Sequence, residues 1–98
     1  MGTQSKFTCT IEMYGFPREV TTLRMVELHL EDGAAMADVI VELKKKIPGL
    51  DGYAFRPDEN RLADLYKFNV NGRLYYDGMD FRLHDGDRIA LLTLVTGG

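Results

Sequence analysis

The sequence predicts a single α+β domain in which one helix covers one face of a sheet. Two stretches with the period of a strand precede one helical pattern, and three strand-like stretches follow it, so the predicted order is ββαβββ. A chain of 98 residues, 45% hydrophobic and 28% charged, is long enough for one core and too short for two. The last predicted strand is apolar at nearly every position, which is typical of a central strand covered on both faces.

The first two strands are predicted at residues 6–13 and 23–30. Both stretches alternate apolar and polar side chains, as a strand with one buried face does. The apolar face of the first strand carries Phe7, Cys9, Ile11 and Met13. The apolar face of the second carries Val26, Leu28 and Leu30. A loop with Gly15 and Pro17 joins the strands, so we expect an antiparallel pair.

One helix is predicted at residues 35–46. Its apolar residues recur at the spacing of a single helical face. They are Met36, Val39, Ile40, Leu43 and Ile47. Lysines at positions 44–46 suit the negative end of the helix dipole, and Pro48-Gly49 ends the pattern.

Residues 50–65 give the weakest pattern, and we interpret them as a long loop with a helical turn near residues 60–65. The expected apolar anchors of this loop are Tyr53, Phe55, Leu62 and Leu65. Strands are then predicted at residues 66–70 and 73–76. Between them stands Asn71-Gly72, a strong signal for a type I′ hairpin because that turn needs a positive φ twice. Asp85-Gly86-Asp87 predicts a further turn before the last strand at residues 89–94.

The two faces of the last strand receive different predictions. We expect Ile89 and Leu91 to pack against the helix, which leaves Leu92 and Leu94 on an apolar face that this chain does not cover. An exposed apolar patch often marks a protein partner. The alternative is that the loop at residues 50–65 covers this face. The predicted partner-binding residues are Leu92, Leu94, Val95 and Thr96.

The chain ends in a slim tail at residues 95–98, which we expect to be mobile because it has little to pack. Gly97 and Gly98 carry no β-carbon, so this end can enter a channel too narrow for other residues. The one reactive group of the tail is the terminal carboxylate of Gly98. A flexible terminus with no chemical role is the alternative interpretation of the same residues.

Several segments together resemble the MoaD/ThiS family of ubiquitin-like sulfur carriers, with the stronger resemblance to MoaD. At the C-terminus, Leu-x-Asp-Gly-Asp is followed by x-Ile-Ala-Leu-Leu and a short tail ending in Gly-Gly. Residues 14–19, 37–43 and 70–72 are similar to the MoaD segment after the first strand, to its helix and to its hairpin. Thr93-Leu94 stand where MoaD tails usually carry two prolines, and residues 50–65 are longer than in ThiS.

The resemblance implies a ubiquitin-like β-grasp fold, with a mixed sheet and one main helix packed on one face. It also implies that an adenylating enzyme uses ATP to activate Gly98, which then becomes a thiocarboxylate beside Gly97. The sulfur would pass to an acceptor enzyme such as the large subunit of molybdopterin synthase, in molybdenum cofactor synthesis. The chain itself would be a carrier subunit with no bound cofactor and no catalytic side chain.

Two alternatives share this fold. One is a ubiquitin-like modifier joined through Gly98 to lysines of target proteins, and the other is a β-grasp interaction module with an unused tail. The sequence alone leaves all three functions open.

Charge, hydropathy and cysteine content argue against several other classes of function. The formal net charge of −3 gives no reason to expect binding to a nucleic acid or to an anionic membrane surface. No apolar segment approaches the roughly 20 residues that span a bilayer. Cys9 is the single cysteine, which fits a reducing compartment such as the cytoplasm. Its place in the apolar alternation of the first strand predicts a buried, unreactive thiol. His29 and His84 lack metal-ligand spacing, and we expect no metal.

Overall fold

The computed structural model describes residues 6–93, without the side chain of Lys6. The observed elements follow the predicted order. They are β1 (Lys6–Met13), β2 (Met25–Glu31), α1 (Met36–Lys46), a short 3₁₀ helix (Pro48–Leu50), β3 (Tyr66–Val70), β4 (Arg73–Tyr75) and β5 (Arg88–Thr93). No helix in the described range is long and apolar enough to cross a membrane.

The five strands form one mixed sheet in the order β2-β1-β5-β3-β4. β1 and β5 are parallel, and the other three pairs are antiparallel. β5 therefore lies at the centre and is hydrogen-bonded on both sides, which confirms the prediction made from its apolar sequence. The two edges of the sheet are β2 and β4.

The core lies between α1 and one face of this sheet. Alternate residues of β2 are buried, and so is one stripe of α1, which confirms both predicted periods. The buried helix residues are Met36, Val39, Ile40 and Leu43. Among the described residues no polar or charged side chain is buried, so burial of apolar surface supplies most of the stabilisation of this core.

Three elements begin at a different residue from the predicted one for local reasons, and β2 ends one residue later and β4 one residue earlier than predicted. β2 begins at Met25, two residues late, because Leu23 donates its backbone N–H to the Thr21 hydroxyl at 2.9 Å and stays in the loop. α1 begins at Met36, and the Asp38 carboxylate accepts a hydrogen bond from the N–H of the preceding Ala35 at 2.9 Å. β5 begins one residue early, because Arg88 accepts from the backbone N–H of Asn71 at 3.0 Å.

The helical turn predicted near residues 60–65 is wrong. Residues 50–65 instead form a compact loop in which Phe55 pairs with both Asp51 and Leu62 through single β-bridges. Phe55 and Leu62 are fully buried, as expected. Leu65 is exposed and is not an anchor. Tyr53 is 39% exposed, but its ring packs 5.9 Å from that of Phe16 and 6.0 Å from that of Tyr66, so it does anchor the loop.

Lys44 of α1 holds this loop against the helix. Its ammonium group lies 2.9 Å from the carboxylate of Asp51 and donates to the backbone carbonyl of Arg56 at 3.1 Å and to that of Glu59. The side chain of Lys44 is largely shielded from solvent. The first lysine at the end of the helix is therefore a structural residue.

Candidate functional site

The candidate site lies at the centre of the sheet, because β5 leads directly into the C-terminal residues. Ile89 and Leu91 are almost completely buried in the same core as the stripe of α1, which confirms their predicted direction. Ala90 and Leu92 lie on the opposite face and are half-buried. The two faces of one apolar strand therefore have different surroundings.

The loop at residues 50–65 packs on the helix side of the sheet. The ring centroid of Phe55 lies 6.1 Å from that of Phe68, which is buried on the core face of β3. Phe68 is the register partner of Leu91. The loop thus covers the face that carries Leu91, and the face that carries Leu92 is left open by it.

The open face around Leu92 is mixed in character, which corrects the prediction of a continuous apolar face. Ala90 stands between Glu12 of β1 and Asn69 of β3, and Leu92 stands beside Lys67. The Lys67 ammonium lies 4.8 Å from the ring centroid of Tyr76, a cation–π contact on the β4 side. This contact holds the charge of Lys67 away from the β1 side of Leu92.

On the β1 side, Leu92 is continued by exposed apolar side chains. The N–H of Tyr14 donates to the carbonyl of Leu91 at 3.3 Å, which places Tyr14 beside the end of β5. The register of β1 with β5 ends at the pair Met13 and Leu91, so Tyr14 is next to Leu92. Tyr14, Leu23 and Met25 line one hollow beside the β1–β2 loop. Met25 is the first residue of β2, and Leu23 lies in the loop just before it. We call the four residues Tyr14, Leu23, Met25 and Leu92 the root surface.

The root surface exposes much apolar area. Tyr14 is 54% and Met25 57% exposed. The Tyr14 hydroxyl donates to the Glu12 carboxylate at 2.6 Å, and this hydrogen bond, together with the negative charge of Glu12, raises the pKa of Tyr14.

Sequence reasoning missed Tyr14, Leu23 and Met25 as site residues. The sequence feature that could have indicated this surface is Met25, because it is an apolar residue on the otherwise polar face of β2.

The opposite face of the sheet is closed at the same end by three aromatic rings. The Phe16 centroid lies 5.7 Å from that of Tyr66 and 5.9 Å from that of Tyr53. Burial, and then a hydrogen bond with Tyr53, raises the pKa of Tyr66 to about 12. Tyr66 is the register partner of Thr93, the last described residue. The cluster ties the β1–β2 loop and the loop at residues 50–65 to the end of β5.

The described residues offer no activated nucleophile at this site. Cys9 is buried in the core, and desolvation, followed by the negative charge of Asp87, raises its pKa to about 11. Its burial and weak acidity fit the predicted unreactive thiol. Within residues 6–93 no group of three or more His, Cys, Asp or Glu side chains is arranged to hold a metal ion.

The remaining predicted site residues lie outside the described range. These are Leu94, Val95, Thr96, Gly97 and Gly98. The predictions for their mobility, their partner contacts and their chemistry therefore remain predictions. In the sequence they follow Thr93, the last described residue of the central strand.

Comparisons with known proteins agree on the fold. Small archaeal modifier protein 1 from Haloferax volcanii is 25% identical, with a TM-score of 0.75 over 93% of this chain and 99% of that one. Small archaeal modifier protein 1 from Methanosarcina acetivorans is 26% identical, with a TM-score of 0.66 over 96% and 99%. A protein from Pyrococcus furiosus described as molybdopterin converting factor subunit 1 is 22% identical, with a TM-score of 0.64 over 91% and 99%, and shows the fold alone. No curated protein matches the chain significantly.

These similarities and the mixed sheet with one main helix identify a ubiquitin-like β-grasp fold. The sequence model of the ThiS family matches residues 11–98, which is all but the first ten residues. The match includes β5 and the Gly-Gly end. The chain belongs to the ThiS family.

Proposed function

We propose that the chain is a sulfur carrier whose terminal carboxylate at Gly98 is adenylated and then converted into a thiocarboxylate. Carriers of this family are generally non-catalytic and work with activating and acceptor enzymes. The observation that carries the proposal is the position of β5. It is hydrogen-bonded on both sides, and three residues separate Thr93 from the pair Gly97-Gly98 in the sequence. A rigid central strand thus fixes the origin of a slim, reactive end.

The chemistry requires an enzyme that the carrier does not contain. A carboxylate is ionised at neutral pH and is a poor electrophile. An oxygen of the Gly98 carboxylate attacks the α-phosphorus of ATP on the activating enzyme and releases pyrophosphate. Sulfur at the oxidation level of sulfide then attacks the acyl carbon and displaces AMP. The product is a thiocarboxylate, and neither step needs a side chain of the carrier.

The proposed docking site is the root surface together with Leu94, Val95 and Thr96. Tyr14 and Leu92 stand beside the strand end, so a partner that covers them is placed to receive the tail. Tyrosine is enriched among the residues that dominate binding energies at protein interfaces. The proposed partners are an adenylating enzyme and a sulfur-acceptor enzyme such as the large subunit of molybdopterin synthase. We assign the carrier to the cytoplasm and to molybdopterin synthesis.

A second candidate function is that of a protein modifier. The observation that favours it is the similarity, over nearly the whole chain, to two proteins named small archaeal modifier protein 1. Adenylation of Gly98 is common to both functions. They differ in the acceptor, which is an enzyme-bound sulfur acceptor for the carrier and a lysine amine for the modifier.

Intact-protein mass spectrometry tests the proposal. After incubation with its activating enzyme, ATP and sulfide, the protein should gain the mass of one oxygen-to-sulfur exchange at the C-terminus. Deletion of Gly98 should abolish the change, whereas deletion of Gly2 is the matched control and should leave it intact. Conjugates to lysines without any thiocarboxylate would instead support the modifier. Absence of both products would contradict both functions.

A further inference from the structure

Within the part of the chain that the structure describes, the outer edge of β2 carries backbone N–H and C=O groups that pair with no other strand. β2 is an edge strand, and among residues 6–93 it pairs with β1 alone. The N–H of Met13 donates to the carbonyl of Arg24 at 2.8 Å. This bond shows which residues of β2 form hydrogen bonds with β1, because hydrogen-bonded pairs alternate along an antiparallel ladder. Along β2, Val26, Leu28 and Leu30 therefore direct their N–H and C=O groups toward β1. The same groups of Met25, Glu27 and His29 point outward from the sheet.

Beside this edge lies a groove of about 560 Å³ between β2 and α1. Apolar contact is available along it from Leu30 and Val41. Its rim is acidic, with Glu31 from β2 and with Asp38 and Glu42 from α1. Asp38 accepts from the N–H of Ala35, and Glu42 forms an ion pair with Lys45. Glu27 and Glu31 are exposed along the strand itself.

We propose that this edge binds an extended, basic peptide segment of a partner protein, which adds to the sheet as a sixth strand. The outward backbone groups supply the ladder, and the groove receives every second side chain of the peptide. The inference goes beyond the proposed function, because it uses neither Gly98 nor the open face at Leu92. The groove lies at the Glu31 end of β2, whereas the root surface lies at the Met25 end.

The charges select the peptide. Side chains of the added strand alternate between the two faces of the sheet. Those that enter the groove meet Leu30 and Val41, so small apolar residues fit there. Those on the open face stand beside Glu27 and Glu31, so lysine or arginine fits there, since opposite charges on neighbouring strands attract. The expected pattern is basic and small apolar residues in alternation.

The same charges disfavour a second copy of this chain as the occupant. Antiparallel pairing of two β2 edges would bring Glu27 and Glu31 of both copies into one interface, together with the carboxylates of both grooves. Like charges that face each other across strands are destabilising. Acidic side chains on an exposed edge also oppose edge-to-edge association.

The test is a titration of the isotopically labelled full chain with a blocked heptapeptide that alternates lysine and valine, followed through backbone amide signals. The largest shifts are expected at Glu27 and His29, with slowed hydrogen exchange of these amides. Glu27→Lys should weaken binding about tenfold through repulsion. Glu19→Lys is the matched control, since it makes the same charge change in the β1–β2 loop, and it should bind nearly as the wild type does.

A second peptide of the same sequence, N-methylated at alternate residues, separates strand addition from charge attraction alone. It keeps every charge and removes the backbone donors, so it should fail to bind. Equal binding of both peptides, equal weakening by Glu19→Lys, or no shifts at peptide concentrations on the order of 1 mM would overturn the proposal. Concentration-dependent shifts at the β2 edge without peptide would overturn it too, in favour of self-association.

Discussion

The two faces of β5 look alike in the sequence and differ in the structure. Ile89 and Leu91 are buried under α1 and the loop at residues 50–65, whereas Ala90 and Leu92 are half-buried on the open face. An apolar residue on the first face stabilises the fold, because it is removed from water by the chain itself. An apolar residue on the second face is available to a partner. One strand can therefore serve stability and recognition with the same kind of side chain.

The largest effect is expected on the buried face. Leu91→Arg places a charge in a core without any polar partner, because Leu91 is fully buried and no buried polar side chain is present among the described residues. The expected loss is at least about 4 kcal/mol, a large part of the roughly 5–15 kcal/mol that stabilises a typical domain. Chemical denaturation measures it. A variant that melts like the wild type would show that Leu91 is not core.

A smaller effect is expected at the buried thiol of Cys9. It tests whether water is excluded from the core face of the sheet. The pKa of Cys9 is about 11 in the folded chain, above the 9.0 of an exposed cysteine. The unfolded chain thus loses its proton first, so the stabilisation is complete below pH 9 and is lost as the pH rises toward 11. The expected slope is about −1.4 kcal/mol per pH unit within this window.

The control for the thiol is Cys9→Ala, because tyrosines and lysines also titrate between pH 9 and 11. The wild-type chain should lose more free energy of unfolding across this window than the variant does. Parallel pH profiles of the two proteins, measured by urea denaturation, would show that the Cys9 thiol is solvated in the folded state.

The smallest effect on stability is expected on the open face. Leu92→Arg should change the free energy of unfolding by about 1 kcal/mol or less, because a half-buried side chain can turn its charged end to water. Thermal melting beside Leu91→Arg makes the comparison direct, since the two variants differ by one position on the same strand. Comparable losses in both would mean that the two faces are equally closed.

Local chemistry explains which parts of the fold could be predicted. Asn71 and Gly72 both have a positive φ, as the type I′ turn requires, and this information lies within two residues. The loop at residues 50–65 could not be predicted in the same way. It is held by Lys44 from the helix, and Asp58 and Leu65 adopt a left-handed backbone that no helical turn contains.

The candidate site was predicted only in part, for a related reason. The absence of alternation in β5 shows that both faces are apolar, and the spacing separates Leu91 from Leu92. Whether Tyr14 and Met25 are exposed depends on which face α1 covers and on how β1 stands beside β5. Both are properties of the tertiary structure, so the root surface could be defined only from the strand register and from the hollow that Tyr14 and Met25 line.

The most direct test of the central claim is the rate at which Leu92→Arg becomes a thiocarboxylate. With the activating enzyme, ATP and sulfide, conversion should fall about 30-fold or more, since loss of a central interface anchor costs at least about 2 kcal/mol. Thr8→Arg adds the same charge at an exposed position of β1 far from the strand end, and it should convert like the wild type. Full conversion of Leu92→Arg at the wild-type rate would contradict the claim that the open face of β5 presents Gly98 to its partner.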